Sequence, residues 1–133
     1  MTQEDKELLL QDLCARLYCG VKAKSPTSHL EINTVDGYFV DGDGTKMFHL
    51  SEPDFWQEVE YFQYYLRPLS SMTEEERDEY TDIKKGECNG CVLTGKGDPD
   101  TEFLLVDWLN THHFDYRRLI EKGLVLEAPE GMY

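Results

Sequence analysis

The chain has 133 residues, with 27 Asp and Glu against 13 Lys and Arg, for a formal charge of −14. Such a field repels phosphate and so excludes a generic nucleic-acid-binding surface and anionic membranes as partners. Hydrophobic residues make up 40%, with eight Tyr, six Phe and two Trp, which suits a single domain over 1–133 whose core needs no disulfides.

In chain order, residues 2–17 read as a first helix. Thr2 caps it, and Asp5 sits three residues on, where its carboxylate returns a bond to the cap. Leu9, Leu13 and Leu17 repeat every four residues, with Leu10 and Cys14 widening the apolar stripe. The acidic opening "MTQEDKELLLQDL" is unlike a secretory leader, and no run reaches the roughly 18 apolar residues of a membrane span. The four cysteines are therefore expected to be reduced thiols in the cytoplasm. Gly20 stops the helix, and "VKAK" alternates as a strand does.

From 29 to 50 the pattern becomes sheet-like. Leu30, Ile32 and Thr34 share one side, Asp36-Gly37 marks a turn, and Tyr38 and Val40 follow. "DGDG" at 41–44 is a second turn, and Met47, Phe48 and Leu50 form another strand. Asp41, Asp43, Thr45, His49 and Glu52 approach the spacing of a calcium loop, but Lys46 stands where that loop needs glycine, so a solvated hairpin turn is the better reading. Phe55, Val59, Phe62 and Leu66 have helical spacing within a β-rich run, which favours a helix or helical turn at its start.

Pro68 ends that segment, because proline forces Arg67 out of the helical region. Thr73 with Glu76 then forms a capping box for the next helix, whose first turn also carries Glu74 and Glu75. Glycine-rich 84–100 reads as turns around "CVLTG". Asp100 or Thr101 begins an apolar helix expected to cross the core, Asp115 caps a last helix "YRRLIEK" closed by Gly123, and "LVLEAP" is an edge strand or docked tail.

Three groups carry candidate chemistry. Cys88 and Cys91, separated by two residues, could share a zinc ion, with Cys14 and Cys19 completing four thiolates; without a stronger second pair, the expected cofactor is none. His112 and His113 beside Asp115 are candidate catalytic residues, since a carboxylate can orient an imidazole as a general base; the competing reading makes Asp115 a helix cap. Phe55, Trp56, Tyr61, Tyr64 and Tyr65 are candidate interaction residues, as aromatic clusters fill either a core or a partner interface.

The phrases "ELLLQDLCARL" at 7–17, "YLRPLSSMTEEE" at 65–76 and "DWLNTHHFDYRRLIEKGLVLEAPEGMY" at 107–133 resemble a family of small uncharacterised proteins. That family is encoded by gut Bacteroides and related bacteria, often near phage-like or other mobile DNA. The resemblance covers roughly 50 residues and implies no activity, cofactor or catalytic residue. "LYCGV" at 17–21 departs from the family's usual "LPYGV", which weighs against a shared metal site at Cys14 and Cys19.

The expectation is an α+β fold, a small antiparallel sheet or partial barrel packed with N-terminal and C-terminal helices. The expected role is an accessory or protein-interaction module in a phage-associated setting, with a protein partner. Whether the chain is an enzyme stays open at this point. The alternatives are a small hydrolase or metal-dependent enzyme built on the His/Asp/Cys residues, and an acidic mimic of nucleic acid.

Overall fold

The computed structural model describes residues 1–24, 32–51, 55–84 and 99–133. Helix α1 spans Gln3–Ala15, and both halves of its capping box form: Asp5 N–H donates to Thr2 Oγ1 at 3.1 Å, and Thr2 N–H to Asp5 Oδ2 at 3.2 Å. Gly20, at φ 74°, turns the chain into β1 (Lys22–Lys24).

An open antiparallel sheet follows in the order β1-β2-β3-β4, with β2 at Ile32–Val40, β3 at Lys46–Leu50 and β4 at Phe55–Gln57. It is not closed, so the partial barrel does not form. Asp36-Gly37 is no turn but a bulge within β2, where the register shifts between Val35 and Gly37. The hairpin turn sits at 41–44, held by Asp41 N–H to Thr45 O at 3.0 Å, with Gly44 at φ 85°. The inner face carries Val35, Phe48 and Leu50, which pack with Leu9 and Leu13 of α1. Ile32 points the other way and is exposed, while its neighbour Asn33 is buried.

The expected helix at the start of 54–66 is replaced by β4, because Leu50 and His49 pair with Phe55 and Trp56. A single 3-10 turn, Val59–Tyr61, is the helical part that forms. Next, β5 (Tyr65–Leu66) pairs in parallel with β6 (Leu126–Glu127), so the C-terminal segment does form a short strand. Leu119, Leu124 and Val125 join the main core from that segment.

Arg67-Pro68 ends β5, a 3-10 turn covers Leu69–Ser71, and helix α2 (Glu74–Lys84) starts on its capping box. Thr73 N–H donates to Glu76 Oε1 at 3.0 Å, and Glu76 N–H to Thr73 Oγ1 at 3.1 Å. Helix α3 (Pro99–Thr111) does not cross the core. Phe103 is 70% exposed, and only its last turns bury apolar side chains. Trp108, Leu109 and Phe114 form a second cluster with Met72, Tyr80 and Ile83, which joins α3 to α2.

The expected last helix at 116–122 is a run of turns, because Arg118 takes φ 60°, outside the helical region. Its ends nonetheless behave as caps. Asp115 accepts from Leu119 N–H and Ile120 N–H, both at 2.9 Å. Gly123, at φ 72°, closes it through Leu124 N–H to Leu119 O at 3.0 Å. No helix among the described residues is long and apolar enough to cross a membrane.

Candidate functional site

The candidate catalytic residues lie together in sequence but do different work. Asp115 is buried and spends its carboxylate on backbone N–H groups; no hydrogen bond joins it to either imidazole. His112 stacks on Trp108 with centroids 4.1 Å apart, and its Nδ1 lies 2.8 Å from Trp108 O. His113 takes φ 64° and stacks on Tyr133 at 3.7 Å. Burial pulls its pKa down to about 4, with Arg16 and Arg67 adding repulsion. The Tyr133 hydroxyl donates to Tyr65 O and accepts from Lys22 N–H, each at 2.8 Å. The Asp115 carboxylate and the Tyr133 hydroxyl are thus spent on backbone groups, and the two imidazoles are stacked on Trp108 and Tyr133.

The cysteines give no metal centre in the described part of the chain. Cys14 is exposed, not buried on the α1 stripe, and Cys19 is half-buried; both are free thiols. The buried α1 face runs through Leu9, Asp12, Leu13 and Arg16. Cys88 and Cys91 lie outside the described residues. Among the described residues, no group of three or more His, Cys, Asp or Glu is placed to hold a metal ion.

Sequence reading missed the buried ionic hub of α1. Asp12 and Arg16 have fully buried side chains. Arg16 donates through Nε to Asp12 Oδ2 at 3.0 Å and through Nη2 to Phe114 O at 2.7 Å. The Tyr64 hydroxyl donates to Asp12 Oδ2 at 2.8 Å, and Arg117 Nε to Asp12 Oδ1 at 3.1 Å. Tyr64 is only 1% exposed and so leaves the set of candidate interaction residues; its hydroxyl is buried to complete this network. The signal was available, since 9, 12, 13 and 16 are i, i+3, i+4 and i+7 on one helix face.

The aromatic face that remains open is on the sheet. Pairing places Gly37 and Phe39 of β2, Met47 and His49 of β3, and Trp56 of β4 on the outer side. Phe39 is 51% and Trp56 44% exposed, and their rings meet edge to face at 5.8 Å. His49 packs on Trp56 at 4.9 Å and pairs through Nδ1 with Asp36. Phe39, Met47, Trp56 and Asp41 line a hollow of about 440 Å³. Beside it, a side-chain hydrogen bond between Asp41 and Asp43 holds the Asp41 carboxyl below the usual range and pushes Asp43 up. Tyr61 is exposed on the 3-10 turn, and Tyr65 is half-buried, with its carbonyl engaged by Tyr133. Phe55 contributes its backbone to β4.

Gly37 makes this face possible. A Cβ there would lie 2.9 Å from His49 Cβ and 3.5 Å from Trp56 Cη2, so the bulge admits no side chain. Gly37→Ala is expected to destabilise the fold by about 1–3 kcal/mol and to shift Trp56 emission as the ring is displaced. Urea unfolding followed by tryptophan fluorescence measures both. No family model, curated protein or solved structure matches the chain, so the functional reading rests on this geometry.

Proposed function

We propose that the protein is an accessory, protein-binding module that acts in the cytoplasm through the outer face of its β2–β3 hairpin. The observation that carries this reading is the contiguous pair Phe39 and Trp56, both about half exposed on a rigid sheet and flanked by Asp41. Rigid aromatics with an apolar body supply binding energy at low entropic cost, and an exposed cluster of them marks an interaction face. The free thiols of Cys14 and Cys19 support the compartment, and the family resemblance supports a setting near mobile DNA.

The test compares the wild-type chain with the double variant Phe39→Ser, Trp56→Ser as bait in a host lysate, followed by reconstitution with the purified captured protein. Both baits should give the same far-UV spectrum, because neither side chain is in the core. The expected result is direct binding by wild type, weakened at least about 100-fold in the double variant, as for loss of two anchor residues. Equal binding by the two baits would refute the reading.

A further inference from the structure

We propose, building on that reading, that the partner docks as an extended basic segment added to the free edge of β2 as a fifth strand. β1 pairs with β2 only over residues 32–34, with one more bond from Val35 N–H to Val21 O at 2.9 Å. β2 runs on to Val40 beyond the end of β1. Because Asp41 N–H bonds Thr45 O, the antiparallel alternation turns Phe39 toward β3 and leaves the N–H and C=O of Tyr38 and Val40 facing outward. Among the described residues, no backbone group outside β3 bonds this stretch. Tyr38 and Val40 are 37% and 46% exposed on one side of the edge, and Phe39 is exposed on the other. An apolar, unpaired edge of this kind is a template for strand addition.

Charge selects the occupant. Asp36 stands at one end of the edge, and Asp41 and Asp43 at the other. A second copy laid antiparallel would set the Asp36 end of each chain against the Asp41–Asp43 end of its mate, and would join two chains of charge −14. That arrangement repels, whereas lysine or arginine on an incoming strand is attracted at both ends. The hollow of Phe39, Met47, Trp56 and Asp41 also suits such a side chain, with ring faces for the cation and a carboxylate beside them.

The experiment titrates the full chain, isotopically labelled, with a short peptide alternating lysine and valine, with its glutamate–valine counterpart, and with a lysine–proline version. Hydrogen exchange at the Tyr38 and Val40 amides reads strand pairing, and Trp56 emission reads contact with the outer face. The lysine–valine peptide is expected to slow exchange at both amides at least about tenfold, less at high salt. The acidic and proline peptides should leave exchange unchanged. Val40→Pro removes one outward N–H, which proline at a strand edge tolerates, and is expected to weaken the peptide at least about tenfold. If Trp56 responds while the two amides do not, strand addition fails and the interaction face stands. Equal protection by the acidic peptide, protection that rises with protein concentration alone, or no response at either probe each overturns the basic-strand proposal.

Discussion

Asp12→Ala is expected to lower folding stability by about 3–5 kcal/mol, the usual cost of stranding a buried charge. Arg16 is fully buried and would keep only the Phe114 carbonyl as acceptor, with Tyr64 losing its partner as well. Against the roughly 5–15 kcal/mol that holds a typical domain together, that loss brings the chain close to unfolding at ambient temperature. The hub is a geometric requirement more than a source of net stability. Replacing Asp12, Arg16 and Tyr64 together by Leu, Met and Phe leaves no fully buried charge or hydroxyl unpaired; Arg117, the other partner of Asp12, keeps 28% of its side chain in water. The triple variant is expected to recover to within about 2 kcal/mol of wild type. Urea unfolding midpoints of the single and triple variants measure this; a triple variant as unstable as Asp12→Ala would refute it.

Glu76 should dominate the response to strong acid. Two hydrogen bonds from Arg67, at 2.7 and 2.8 Å, and one from Thr73 N–H hold its pKa at about 2, against 4.5 for an ordinary glutamate. Above pH 4.5 the carboxylate is ionised in both folded and unfolded chains, and its contribution is complete. As pH falls below 4.5 the unfolded chain takes up the proton first, and the contribution is gone near pH 2. The gap corresponds to about 3 kcal/mol. His113 acts in a higher window: its value of about 4 lies below the ordinary 6.5, so stability falls as pH drops from 6.5 toward 4. Glu76→Gln is expected to lose about 2–3 kcal/mol at pH 7 and to flatten only the window between 4.5 and 2. Unfolding midpoints measured across pH 2–7 separate the two groups; an unchanged slope below pH 4.5 would exclude this role for Glu76.

What could be read from sequence was local. The Thr2–Asp5 and Thr73–Glu76 boxes need only a three-residue spacing, and Pro68 restricts its own neighbour, so these boundaries appear where the spacing puts them. The 41–44 turn followed in the same way from glycine and aspartate. The misread features depend on distant partners. Tyr64 sits in a run of tyrosines, and only Asp12, 52 residues earlier, decides that it goes inside. The helical spacing that starts at Phe55 loses to pairing of residues 55–57 with β3. Arg118 leaves the helical region, and no local residue pattern announces it. The candidate site was half legible: Trp56 was named, whereas Phe39 becomes its neighbour only when β2, β3 and β4 align. Three consecutive apolar residues, Tyr38-Phe39-Val40, could have signalled it, since a pleated strand cannot turn all three inward.

The bonds that tie α1 and β1 to the rest reach far along the chain: Arg16 to Phe114 across 98 positions, Arg117 to Asp12 across 105, and Lys22 to Tyr133 across 111. During synthesis the first helix therefore leaves the ribosome long before its partners Phe114 and Arg117 exist. Its charged pair must wait in water, and the native state can close only once residues 114–133 have emerged. Nascent chains stalled before Phe114 would be open, protease-sensitive clients for chaperones, and maturation would come late and all at once.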